Sequence, residues 1–248
     1  MNILFTICGR AGSKGIKNKN IRNFLGKPLP YYTLSAIDLY KKENTKDTID
    51  VVVNSDSIEL LEMMKKNPFF EIETIERRPE LGGDNVAKVD VIANCYEEMK
   101  TRLHKEYDMI VDLDITSPLR TKADIVNLIE TQSKGDVDVT FSVTDSRRNP
   151  YFNMVQRVNG KIKLVIESNF TTRQQAPEIF DMNASMYAYK PEFLLTGKDL
   201  LEGECEIIHM YDTGILDLDH ENDFELMEIL AEYLFEKKEN FAEVYKNF

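Results

Sequence analysis

The chain has 248 residues, with 31 basic against 43 acidic side chains and a formal net charge of −12 at pH 7. A field of that sign repels polyphosphate surfaces, which argues against a nucleic-acid or anionic-membrane partner. A content of 42% hydrophobic and 30% charged residues, with only 8 Pro and 11 Gly, excludes disordered and collagen-like classes and suits one large domain spanning 1–248.

In chain order, Asn2 to Cys8, Ile49 to Asn54, Phe70 to Ile75, Met109 to Leu113 and Val137 to Val143 read as strands, several too continuously apolar to have a solvent face. The leading run, Ile3 to Cys8, is too short to span a bilayer, has no basic residues before it and lacks a small-residue cleavage site after it. Tyr31 to Lys42, Ser57 to Lys66, Val86 to Arg102 and Ala123 to Ser133 read as the intervening helices, with Ser57 as a cap. This alternation predicts an α/β fold with a mainly parallel sheet covered on both faces, whose ligands collect at the carboxyl ends of the strands.

From about Asp145 the rhythm changes. Tyr151 to Val158 and Lys161 to Glu167 flank Asn159-Gly160, a strong hairpin signal, so the segment 145–181 is expected to be a small inserted antiparallel lobe. Ala184 to Tyr189 and Glu206 to Met210 read as strands returning to the sheet, and Glu221 to Lys238 as a long final helix. Cys8, Cys95 and Cys205 are odd in number and far apart, which suggests no disulfide framework, no zinc cluster and a reduced, cytoplasmic compartment. His104, His209 and His220 have no partner at ligand spacing and read as structural or surface residues.

The most informative feature is a charge asymmetry. Arg10, Lys14, Lys17, Lys19, Arg22 and Lys27 all precede the first acidic residue, Asp38. Gly9, Gly12 and Gly15 sit among them just where the first strand ends, so backbone amides can approach a polyanion while the side chains neutralise it. The spacing fits neither the P-loop nor the dinucleotide fingerprint. The competing reading is a basic surface loop.

Gly9-Arg10-Ala11-Gly12-Ser13-Lys14-Gly15, followed by Lys19-Asn20-Ile21 and Gly26-Lys27-Pro28-Leu29, resembles the N-terminal signature of the cytidylyltransferases that make CMP-activated nonulosonic acids. The resemblance recurs in Arg77-Arg78-Pro79-Glu80-Leu81 with Asp84, in Thr116-Ser117-Pro118-Leu119-Arg120, in Arg173-Gln174-Gln175-Ala176-Pro177, in Asn183 with Tyr187, and in Asp217-Leu218-Asp219. It implies a Rossmann-like nucleotidyltransferase fold, a homodimer whose inserted lobe covers the partner's site, and attack by a sugar's anomeric hydroxyl on the α-phosphate of CTP. By the same resemblance Arg10, Lys14 and Lys19 hold the phosphates, Ser13 and Asn20 orient the nucleotide, and Arg77 lies near the cytidine. Arg173 is then a bidentate partner for the acceptor carboxylate, with Gln174, Asn183 and Tyr187 bonding its hydroxyl or acyl-amino groups. Asn183 and Tyr187 also fit as ordinary strand-face residues.

Asp217 and Asp219, one residue apart, project from one face of an extended segment and suit Mg²⁺, or Mn²⁺ in its place, shared with phosphate oxygens. The alternative is that Asp219 only caps the last helix. Asp112 and Asp114 form a second such pair. Sialic acid enzymes resemble this chain here but carry a glutamine at the position of Asp114, so Asp114 serves the nucleotide, the sugar or a metal, or is a solvated strand end. Together with Phe152, where those enzymes have a lysine, and Phe180-Asp181-Met182-Asn183-Ala184-Ser185, this resembles the bacterial branch that activates di-N-acetylated legionaminic acid. A sialic acid synthetase is the nearest alternative. A metal-dependent glycosyltransferase using Asp112 and Asp114, and a non-catalytic anion-binding module, are more distant ones.

Overall fold

The computed structural model describes residues 1–12, 15–83, 86–214 and 218–248, with Arg173 described by its backbone alone. The strands are β1 (Asn2–Cys8), β2 (Asn23–Phe24), β3 (Lys27–Pro28), β4 (Thr48–Ser55), β5 (Glu73–Glu76), β6 (Met109–Leu113), β7 (Val139–Asp145), β8 (Val155–Val158), β9 (Lys161–Leu164), β10 (Phe180–Tyr189) and β11 (Cys205–His209). The helices are α1 (Leu29–Glu43), α2 (Ile58–Lys65), α3 (Lys88–Leu103), α4 (Lys122–Lys134), α5 (Pro191–Leu194), α6 (Glu221–Lys237) and α7 (Glu239–Lys246).

Seven strands form one sheet in the order β11-β7-β10-β6-β1-β4-β5, and only β10 runs against the others. Successive side chains of β1 alternate between two cores. Ile3, Phe5 and Ile7 pack with α1, α2, α4, α6 and α7, whereas Leu4 packs with α3 and α5 on the other face. Burial on both faces explains the lack of a polar alternation in β1 and β4, as expected for a parallel sheet. Ser57 caps α2 by accepting from the Leu60 amide at 3.2 Å.

Several boundaries differ from the sequence reading: β10 starts at Phe180 and not Ala184, β9 ends at Leu164 and not Glu167, and three further differences have a local cause. The strand expected from Phe70 starts at Glu73, because the Asn67 side chain accepts from the amides of Phe69 and Phe70 and donates to the Met64 and Phe70 carbonyls. That knot turns both phenylalanines onto the core instead of into the sheet. The hairpin strand expected from Tyr151 starts at Val155, because Asn149 organises the preceding turn by accepting from Tyr151 through its side chain and from Phe152 through its carbonyl. Asn159 and Gly160 do form the tight turn, with φ of 51° and 79°. Finally, extended backbone at Lys238 ends α6 and starts the unforeseen α7. Among the described residues no helix is long and apolar enough to cross a membrane.

Candidate active site

The carboxyl ends of β1, β4, β5 and β6 lie along one edge of the sheet, and the loop after β1 crosses it. The Gly9 amide donates to the Asn54 carbonyl at 3.1 Å, the Ala11 amide to Asp56 Oδ1 at 2.6 Å, and Asn20 Nδ2 to the Arg10 carbonyl at 3.0 Å. A Cβ on Gly9 would come within 2.8 Å of both Leu60 and Ile115, and Gly12 has φ of 76°, so this path needs glycine at both points. Arg10, Gly12, Lys19 and Asn20 line a cleft of about 50 Å³ together with Ser57. Ser13 and Lys14 lie outside the described residues.

This loop meets the opposite end of the chain. A Cβ on Gly15 would stand 1.9 Å from the Asp219 carbonyl oxygen, so only glycine permits the approach. Lys19 Nζ lies 3.3 Å from Asp219 Oδ1, and Arg22 Nη1 donates to both carboxylate oxygens of Glu221 at 2.6 and 2.9 Å. The Arg22 guanidinium also sits 4.1 Å over the Phe224 ring, and the Lys27 ammonium 4.9 Å from the Phe248 ring. The early cations are therefore not all equivalent: Arg22 and Lys27 fasten the C-terminal helices, and Arg10 and Lys19 line the cleft.

Asp219 does not cap α6. The cap residue is His220, and Asp223 Oδ2 accepts from the amides of His220 at 2.8 Å and Asp219 at 3.3 Å. The Asp219 carboxylate is left 68% exposed beside Lys19. A hard oxygen donor at the rim of a cationic cleft has the chemistry Mg²⁺ takes when it shares phosphate oxygens. Asp217 lies outside the described residues.

At the end of β5 the Arg77 guanidinium is buried and donates through Nε to Asn54 Oδ1 at 2.7 Å and through Nη2 to the Asn54 carbonyl at 3.1 Å. Arg78 points away and pairs with Glu98. The buried Asn54 Nδ2 has no partner among the described residues.

The end of β6 holds a group that sequence reasoning missed. Lys88, the first residue of α3, places Nζ 2.7 Å from Asp112 Oδ2 and 2.8 Å from Asp114 Oδ2. Asp112, fully buried, also accepts from Thr6 Oγ1 at 2.8 Å, and Asp114 Oδ1 accepts from the Thr116 amide and hydroxyl at 2.9 and 2.8 Å. Burial would raise the Asp114 pKa, but Lys88 and Thr116 outweigh it and hold the carboxyl at about 2. Burial would likewise lower Lys88, yet the two carboxylates push it well above the ordinary lysine value. Ion-paired to Lys88, with Asp112 fully buried, the Asp112/Asp114 pair is not a solvated strand end. Behind it, the fully buried Arg120 donates to the carbonyls of Asp114 and Ser185 at 2.9 and 2.8 Å and to Thr33 Oγ1 at 3.0 Å, and burial lowers its pKa to about 10.

On β10 the pairing register shifts between Met182 and Tyr187, and Ala184 has φ of 53°. Asn183 supports this bulge by accepting through Oδ1 from Ser142 Oγ at 2.6 Å and the Ser185 amide at 3.2 Å. It also lines a small cavity with Ser117, Thr144 and Tyr211. Tyr187 pairs in register with Asp112 and stacks on Tyr189 at 6.1 Å, with Lys88 Nζ 6.0 Å from its ring centroid. Gln174 is exposed and lines a separate open groove of about 530 Å³ with Asp145, Arg148 and Phe180. Thus Arg10, Lys19, Asn20 and Asp219 come together, Arg77 and Asp114 follow β5 and β6, which β4 and β1 separate, and Gln174 stands apart at the base of the hairpin.

A strand-edge cleft with a glycine-rich cationic loop on a parallel sheet is the architecture of a nucleotidyltransferase. The cytidylyltransferase family profile matches residues 4–243, and the chain belongs to that family. It is 34% identical over 231 residues to the CMP-N,N′-diacetyllegionaminic acid synthase of Campylobacter jejuni, covering 92% of this chain and 94% of that one. It is 26% identical over 243 residues to an N-acylneuraminate cytidylyltransferase of Streptococcus agalactiae, covering 97% of this chain and 56% of that protein. The fold matches that of CMP:2-keto-3-deoxy-manno-octonic acid synthetase, solved with CTP, with a TM-score of 0.66, 14% identity and coverage of 94% and 99% of the two chains.

Proposed function

We propose that the protein transfers CMP from CTP to a nonulosonic acid of the legionaminic type. The observation that carries this reading is the Lys19–Asp219 contact at 3.3 Å, which joins the glycine-rich cationic loop to a carboxylate 200 residues later. In the reaction the acceptor's anomeric oxygen forms a bond to the α-phosphorus, the bond from that phosphorus to the bridging oxygen breaks, and pyrophosphate departs. Arg10, Lys14 and Lys19 neutralise the phosphates, with Lys19 on the leaving group, and losing one such fixed charge costs on the order of 10²-fold in rate. Ser13 and Asn20 orient the nucleotide, and Arg77, held by Asn54, serves the base side, whereas Asp114, after β6 and across β4 and β1 from it, is left to the acceptor. Arg173, Gln174, Asn183 and Tyr187 serve the acceptor.

Asp217 and Asp219 would hold Mg²⁺ or Mn²⁺, which when bound offsets negative charge on the phosphates. The hairpin of β8 and β9 leaves Val155 62% and Ile162 56% exposed, which supports a homodimer closed through the lobe 145–181. Free thiols at Cys8, Cys95 and Cys205 suit the cytoplasm. The higher identity to the legionaminic enzyme favours that acceptor over a sialic acid.

Pyrophosphate release tests the reading. CTP with Mg²⁺ is expected to turn over only when a nonulosonic acid is supplied, with kcat/KM greatest for N,N′-diacetyllegionaminic acid. No turnover with any nonulosonic acid would overturn it.

A further inference from the structure

We infer that Lys88, fixed between Asp112 and Asp114, is a specificity-determining residue that reads an uncharged hydroxyl or acylamino substituent of the acceptor. This rests on the cytidylyl-transfer reading above. The strand order supplies the location. The cationic loop is fastened to the end of β4, and Arg77 follows β5, so the nucleotide falls on the β4–β5 side of β1. Lys88, Asp112, Asp114 and Tyr187 cluster on the other side, over β6 and β10, which leaves them to the acceptor.

The hydrogen-bonding inventory sets the chemistry. An ammonium has three N–H donors, and Lys88 donates one to Asp114 Oδ2 at 2.8 Å while lying 2.7 Å from Asp112 Oδ2 as an ion pair; no further hydrogen-bond partner for it lies among the described residues, and the side chain remains 35% exposed. An ionised carboxylate has about four acceptor sites. Asp114 uses three, on Lys88 and on the amide and hydroxyl of Thr116, and is 23% exposed. A donor and an acceptor thus stand side by side on the rim, matching a group that both accepts and donates, such as a hydroxyl or a secondary amide.

The same cluster disfavours an anion. A ligand carboxylate about 3 Å from the Lys88 ammonium would stand about 5–6 Å from both aspartates, so two repulsions of roughly half strength offset the single attraction. The acceptor's own carboxylate must therefore be held elsewhere, and Lys88 discriminates among neutral substituents. Binding sites that pair a buried donor and acceptor with a substrate group reject analogues lacking that group strongly.

Steady-state kinetics with CTP, N,N′-diacetyllegionaminic acid and analogues in which one hydroxyl or one acylamino group is replaced by hydrogen test the inference. Lys88→Arg preserves a cation for both aspartates but shifts its N–H vectors, and Asp114→Asn preserves size while removing the charge. In the wild type one analogue is expected to fall about 10²-fold or more in kcat/KM, and its identity shows which substituent is read. In both variants that ratio is expected to collapse below about tenfold, with acceptor KM raised about tenfold and CTP KM changed less than about twofold. A purely structural role would depress kcat/KM equally for every acceptor and raise both KM values; that outcome, or an undiminished ratio, overturns the inference while the cytidylyl-transfer reading stands. A wild type inactive toward every nonulosonic acid overturns both.

Discussion

Replacing Gly15 by alanine adds one carbon to the most crowded point of the proposed cleft. The new Cβ would stand 1.9 Å from the Asp219 carbonyl oxygen, whereas real Cβ atoms essentially never approach a heavy atom closer than 3.0 Å. The obstacle is backbone, not the end of a flexible side chain, so the 15 and 219 segments must part by about 1 Å or more, a displacement that typically costs about 10²-fold in a positioned reaction. Lys19 and Asp219, now 3.3 Å apart, would separate with them. Gly15 and Asp219 lie outside the two buried cores but next to Ile16 and Leu218, which belong to one of them, so the chain should still fold with a melting temperature lowered by several degrees. Pyrophosphate release from CTP and acceptor, read beside a thermal melt, measures both effects. A Gly15→Ala enzyme that keeps kcat/KM within threefold of wild type would refute the claim that the two loops form one cleft.

Other predictions address the supports of that cleft. Arg120→Met removes one donor from each of the Asp114 and Ser185 carbonyls, which keep Thr33 Oγ1 at 3.3 Å and the Asp114 amide at 3.0 Å, and is expected to cost about 1–3 kcal/mol in urea unfolding; a loss under about 0.5 kcal/mol would mean the clamp is dispensable. Because the folded Asp114 pKa is depressed from 3.8 to about 2, its stabilising contribution is complete above about pH 4 and is lost as pH falls through 2. Asp114→Asn should therefore flatten the acid limb of the stability profile below pH 4, by about 2–3 kcal/mol at most, and an unchanged limb would contradict the ion pair. Val155→Glu with Ile162→Glu places charge on the exposed hairpin and should yield monomers in light scattering, where the wild type is expected to run as a dimer; a wild-type monomer would remove the proposed lobe interface.

The strands that build the sheet were readable because both faces of β1 and β4 are buried, which leaves mainly apolar runs without polar alternation. The glycine-rich loop was readable because its cations crowd into one short segment. What that local pattern hid is the partition of those cations, since Arg22 and Lys27 are claimed by Glu221, Phe224 and Phe248 from the far end of the chain. Lys88 was illegible for a similar reason. Its aspartates lie 24 and 26 residues away, joined to it only by the packing of α3 on the sheet. One signal was present: two carboxylates on an apolar central strand need a cation to be buried, although the sequence has 31 basic residues to choose from. The start of β5 was misplaced because a single asparagine at 67 redirects its neighbours, an effect that hydrophobic periodicity does not register.

The clasp between Lys19 and Asp219 spans four-fifths of the polypeptide. During synthesis, which proceeds from the amino end, the sheet strands from β1 to β7 emerge while the phosphate loop still has no opposite wall. The proposed cleft is therefore complete only once the segment carrying Asp219 has been made. A polypeptide truncated before residue 218 would carry every early lysine yet lack the carboxylate that faces Lys19, so the proposed site needs both segments at once.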